Sequence, residues 1–170
     1  LASGAGFVPF KTEADYRNFM SRMKAFPNWV NQSIENMQAG LESHNTNAKA
    51  SMLKVPAKLK PLFETGSDKN IFYKPLANLP SNMDTAAKVK LIKDYTEAIE
   101  TSIKPAYKKL HDYLTTDYIP NTRNNTGLLD NSNGAKEYAF WLKFYTTKNI
   151  SADEIFALGE SEVARIRKEM

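Results

Sequence analysis

Asp84-Thr85-Ala86-Ala87-Lys88-Val89-Lys90-Leu91-Ile92-Lys93-Asp94-Tyr95-Thr96-Glu97-Ala98-Ile99 decides the fold. It contains neither Gly nor Pro. Ser81 and Asp84 supply start signals, and Met83, Ala87, Ile92, Tyr95, Ile99 and Ile103 recur at helical spacing toward Pro105. The spacing predicts the longest helix of the chain, near residues 82–118. Proline costs about 3 kcal/mol in a helix interior, so a kink or a fresh start is expected at Pro105. Beyond it Tyr107, Leu110, Leu114 and Tyr118 continue the inward face, and Pro120 ends the helix.

The same period extends upstream. Thr12 and Asp15 read as a helix start, with Tyr16, Phe19, Met20, Met23 and Phe26 on one face. Pro27 is expected to end that helix and to open a second, carrying Val30, Ile34, Met37 and Leu41 to a stop signal at Gly40. Pro56 and Pro61 limit residues 48–65 to short helical pieces, and residues 70–76 read as an extended connection whose aromatics pack down. Downstream, a loop rich in Asn, Thr and Gly reaches Gly134. The run from Glu137 to Tyr145 then favours a helix over 135–145, apolar nearly all round and so expected to be buried on several sides. Ser151 with Glu154 forms a capping-box signal for a last helix over 152–170, whose face is Ile155, Gly159, Val163, Ile166 and Met170. The fold class read from these patterns is all-α, an irregular multi-helix bundle forming one helical region over residues 1–170. A terminal helix without a stop signal, and a start without an initiator Met, lead us to expect a fragment of a longer protein.

Composition excludes several classes of function. A hydrophobic content of 42%, with nine Phe, eight Tyr and two Trp, is that of a folding chain. The net charge of +4 is dispersed, since Lys88, Lys90 and Lys93 share a helix with Asp94, Glu97 and Glu100. A nucleic-acid partner requires a concentrated basic stripe, so none is expected. No apolar run approaches the roughly 20 residues of a bilayer span. With no cysteine there is no thiolate chemistry or sulfur-ligated metal. Only two histidines occur, His44 and His111, without His-Glu-x-x-His spacing. His111 and Asp112 are sequence neighbours and are expected to diverge on a helix. Gly-x-Ser-x-Gly and phosphate-loop patterns are also missing; Gly4-Ala5-Gly6 is too short. No catalytic residue, metal ligand or cofactor site is therefore assigned in this chain. The candidate for ligand contact is the polar loop from Arg123 into the aromatic helix, with Arg123, Gly134 and Tyr138 as substrate-binding residues. The competing reading is a surface loop with Arg123 paired to a carboxylate.

An ordered series of short motifs supports a family resemblance. It comprises Phe26-Pro27-Asn28-Trp29-Val30, Phe72-Tyr73-x-Pro75, Pro105-Ala106-Tyr107-x-x-Leu110 and Tyr118-Ile119-Pro120 with Arg123. It continues through Gly127-Leu128, Gly134, Tyr138, Leu158-Gly159 and Glu162-Val163-Ala164-Arg165-Ile166. Together these resemble the bacterial domain of unknown function 885 family over nearly the whole chain. The resemblance implies a larger, mostly helical, zincin-like fold related to metallocarboxypeptidases, often exported or lipid-anchored, in the bacterial periplasm or cell envelope. It also implies a His-Glu-x-x-Pro-Gly-His type motif downstream, so that zinc would belong to the parent protein. This chain would then be its non-catalytic helical portion, supporting or covering the substrate cleft, with the remainder of the parent and a peptide substrate as partners. The alternative is a helical binding or scaffold module without enzymatic activity. Two departures fall in and after the loop: Leu129-Asp130 replaces the family's Leu-Pro, and Tyr145 stands where His is often found before Thr146-Thr147.

Overall fold

Two long helical rods share one core, and prolines lie inside both. The computed structural model describes residues 8–66 and 69–170, so Gly4-Ala5-Gly6 falls outside the described residues. The first rod, α1 (Glu13–Glu42), begins in a complete capping box between Thr12 and Asp15. It runs uninterrupted through Pro27, which corrects the expectation of two helices meeting at that residue. Pro27 removes the N–H that would reach the Met23 carbonyl and crowds that oxygen. Opposing this cost of about 3 kcal/mol, Tyr16, Phe19, Met20, Met23 and Phe26 before the proline and Val30 and Ile34 after it are all buried on one core. Each such side chain contributes about 1.5–3 kcal/mol, so burial on both sides outweighs the local penalty.

Gly40 is not the stop of α1. Asn45 N–H donates to Gly40 O at 2.8 Å and His44 N–H to Leu41 O at 3.2 Å, with His44 at φ 53°. That pattern is a Schellman closure with His in the left-handed position usually held by Gly. Gly40 instead makes room for the returning chain, since a Cβ there would lie 2.8 Å from Asn45 O.

Two short helices follow, α2 (Lys49–Met52) and α3 (Val55–Leu59), the latter running into a 3-10 turn at Lys60–Leu62, as the two prolines predict. Residues 70–76 are not extended. Ile71–Asn78 is a run of 3-10 turns started by the buried Asn70, whose amide donates to Leu62 O at 3.0 Å and whose Oδ1 accepts from Phe72 N–H at 3.1 Å. Its aromatics, Phe72 and Tyr73, do pack into the core as expected.

The second rod joins α4 (Thr85–Ala98), a π turn (Ile99–Ile103), α5 (Lys104–Tyr113), another π turn (Leu114–Tyr118) and α6 (Ile119–Asn121). Asp84 caps it through Ala87 N–H at 2.7 Å. Each π turn lies directly ahead of a proline, Pro105 or Pro120. Lys104 N–H bonds Ile99 O and Ile119 N–H bonds Leu114 O, and this widened ladder accommodates the missing donor and the ring without ending the rod. Pro120 accordingly sits inside α6. Leu91, Tyr95, Ala98, Ile99 and Ile103 face the core, whereas Ile92 is 41% exposed, one residue out of phase with the predicted face.

α1 packs against α4, α5 and the first π turn, enclosing Tyr16, Phe19, Phe72, Tyr95, Ile99 and Ile103. A smaller cluster around Leu114, Tyr118 and Ile119 meets Leu41, Met52 and Val55. Among the described residues there is no strand, only an isolated bridge between Ala48 and Arg123. The last two helices, α7 (Gly134–Thr146) and α8 (Ala152–Glu169), complete an all-α fold. The expected burial of α7 is not found: Gly134 is its one buried residue and α8 has none.

Candidate functional site

Arg123 organises the corner at which the second rod hands over to α7. Its backbone N–H donates to Thr46 Oγ1 at 3.1 Å and its carbonyl accepts from Lys49 N–H at 2.8 Å. Its Nε donates to Thr46 O at 2.8 Å, while Nη1 donates to Asn125 O at 3.2 Å and also to Gly127 O. The guanidinium partners are therefore backbone carbonyls, not the carboxylate of the competing reading. The cation ties carbonyls of Thr46, Asn125 and Gly127 together, which fixes the path from Thr122 to Gly127.

The 3-10 turn Leu128–Asp130 then meets the start of α7. A Cβ on Gly134 would lie 2.2 Å from Leu128 O and 2.7 Å from Leu129 Cα, so only glycine lets α7 begin here. Arg123 and Gly134 are thus linked through the Gly127–Leu128 segment as parts of one corner. Tyr138 lies one turn into α7 and is half exposed. From it runs a series of rings, with Trp141 5.1 Å from Phe140, 5.6 Å from Phe144 and 5.7 Å from Tyr145. These rings pack edge-on and face to face on one another while Phe144 is 60% and Tyr145 77% exposed. A left-handed Thr147 (φ 57°) and the Ser151–Glu154 capping box lead into α8. There Phe156, Leu158, Val163 and Ile166 are exposed as well. Glu162 and Arg165 pair at 2.8 Å on this helix, and Arg165 also holds Glu169.

Away from that corner the structure assembles a group the sequence did not signal. Tyr73 of the 3-10 run donates its hydroxyl to Glu100 Oε1, and Lys104 Nζ donates to the same oxygen at 2.6 Å. Lys104 Nζ lies 5.7 Å from the centre of the Tyr73 ring. The Lys104 ammonium and then the Tyr73 hydroxyl hold the Glu100 carboxyl below its ordinary value. Burial, the bond to Glu100 and its charge push the Tyr73 phenol up. The Glu100 to Lys104 spacing was a visible helical pair. Tyr73 arrives from a distant segment, and no local pattern announces it.

Histidine does not build a metal centre. His111 Nδ1 lies 3.2 Å from Asp112 Oδ1, closer than their adjacent positions suggested, and its ring meets Phe63 edge-on. His44 is occupied in the closure of α1. Among the described residues no three His, Asp or Glu side chains gather in a set that could hold a metal.

The sequence profile of the bacterial proteins of unknown function DUF885 matches residues 1–170. None of the curated proteins matches the chain. A solved structure, "the putative lipoprotein from Colwellia psychrerythraea", superposes with a TM-score of 0.79 at 20% identity over 94% of this chain. The match spans 28% of that protein's length, and at this identity the likeness speaks to the fold alone.

Proposed function

This chain belongs to the bacterial family of unknown function DUF885, and from that premise we propose that it is the non-catalytic helical portion of a zinc-dependent, zincin-like peptidase, supporting or covering a substrate cleft. The observation that carries the reading is the aromatic face of α7 and α8. Phe140, Trp141, Phe144, Tyr145 and Phe156 are held in ordered helices yet contribute nothing to the core of α1, α4 and α5. The rings of α7 touch one another in an exposed cluster, and exposed apolar surface of this kind marks an interaction site. In the proposed protein this face docks on the part that carries the metal. The corner of Arg123 and Gly134 sets the angle at which α7 leaves the core, and Tyr138 lies toward the peptide substrate.

The described residues do not fit a zinc site, so no step of peptide hydrolysis is assigned to them. Their contribution is the shape of one wall. The lipoprotein description of the Colwellia protein supports a cell-envelope location for the proposed peptidase.

Zinc titration with peptide hydrolysis, carried out on this chain and on the product of its complete reading frame, tests the proposal. Zinc binding and hydrolysis are expected in the complete product, with Tyr138→Ala raising KM more than it lowers kcat. A complete product that binds no zinc, or stoichiometric zinc on the 170-residue chain, overturns it.

A further inference from the structure

The cleft between the 3-10 run Ile71–Asn78 and the second rod measures about 630 Å³ and is lined by Tyr73, Leu76, Ala77, Ile92, Glu100 and Lys104, among others. That size lies within the usual range for small-molecule sites, about 300–1,000 Å³. Its polar end has an uneven arrangement. Tyr73 and Lys104 both donate to Oε1 of Glu100, no other described residue donates to Oε2, and the Glu100 side chain is 47% exposed. An ammonium carries three protons, so Lys104 retains donors beyond the one given to Glu100. A carboxylate with a free acceptor oxygen thus stands beside a cation with free donors, and Leu76, Ala77 and Ile92 line the rest of the cleft.

We infer that this cleft binds a free aliphatic α-amino acid, its ammonium on Glu100 Oε2, its carboxylate on Lys104 Nζ and its side chain against Leu76, Ala77 and Ile92. The fit follows from geometry. Glu100 and Lys104 are in direct contact, and the ammonium and carboxylate of an α-amino acid sit on a single carbon. Neither an amine alone nor a carboxylate alone satisfies both free ends. The surrounding structure keeps the pair fixed, since Tyr73 is buried and anchors the carboxylate from the opposite wall. Exposure of Ile92, which the helical period had turned inward, supplies the apolar wall. This assignment is independent of the peptidase reading.

Titration of the isotopically labelled chain with L-leucine, followed by amide NMR, tests it. Saturable shifts are expected at Gly66, Ala77 and Thr96, with a dissociation constant of roughly millimolar order. N-acetyl-leucine, which lacks the ammonium, and leucinamide, which lacks the carboxylate, should each bind at least about tenfold more weakly, the loss expected for one charge-assisted hydrogen bond. Glu100→Gln should abolish the preference over N-acetyl-leucine, Lys104→Met should abolish the preference over leucinamide, and Lys90→Ala elsewhere on the rod should change neither. Absence of saturable shifts, or equal binding of all three ligands by the unaltered chain, overturns the assignment even if either variant fails to fold.

Discussion

The two rods and the α7–α8 limb are made of similar residues with opposite fates. α1 buries Tyr16, Phe19, Met20, Met23, Phe26, Val30 and Ile34, whereas α8 buries nothing. Both helices start from a capping box and both present an apolar stripe. The difference is the presence of a facing element. Capping and periodicity form a helix locally, but burial needs a second apolar surface, and the described residues provide one only for the rods. A helix can therefore be well specified in sequence while its apolar face stays exposed within this chain.

The most direct attempt to break this comparison truncates one ring in the core the rods share and one on the limb. Phe72→Ala removes a fully buried ring and should cost about 3–5 kcal/mol in urea unfolding. Phe144→Ala on the exposed limb should cost less than about 0.5 kcal/mol; a comparable loss would show that the limb is part of the cooperative core. Next in size is Gly134→Ala. Its Cβ would overlap backbone atoms of Leu128 and Leu129, and we expect a cost of about 1–3 kcal/mol. Hydrogen exchange should place that loss in α7 while the amides of α4 and α5 keep their protection.

A smaller change sharpens the contrast from inside the core. The Tyr95 hydroxyl is buried with no hydrogen-bond partner among the described residues, and Tyr95→Phe should stabilise by about 1 kcal/mol, since it removes an unmet donor and keeps the ring. Burial and then the nearby Tyr16 push the Tyr95 phenol above its ordinary 10.0. The unfolded chain therefore loses this proton first, so stability is intact below about pH 10 and falls as pH rises beyond it. Tyr95→Phe should make that alkaline decline shallower in denaturant titrations at successive pH values. A further small effect is expected at the limb's joint. Thr147 is β-branched in a left-handed conformation, and Thr147→Gly should raise protection at the end of α7, worth about 0.5–1 kcal/mol, without altering exchange in the rods.

Much of the fold was legible because its signals are local. Thr12–Asp15 and Ser151–Glu154 each form the box their spacing predicts, and Pro56 and Pro61 divide the short helices as expected. Pro27 misled because its penalty is local while the burial that outweighs it comes from α4 and α5. Ile92, read as inward, is exposed while its neighbour Leu91 is buried, for a related reason. Helical spacing leaves the phase of a broad apolar face undetermined, and packing puts Leu91 in the core cluster while Ile92 lines the cleft. Of the candidate site, Gly134 was visible as a residue and Arg123 as a charge. Their meaning as a corner depends on Thr46 and Leu128, which no spacing rule connects to them.

By itself the sequence determined that this chain is helical, where most helices begin, and which stripe of each is apolar, because capping and the 3.6-residue period act within a few residues. Tertiary structure decided that Pro27 sits inside one rod, that π turns carry the second past Pro105 and Pro120, and that Tyr73 meets Glu100 and Lys104. It also decided that the most aromatic helix of the chain lies open. Each of these outcomes depends on which surfaces face one another, and that is a property of the packed molecule.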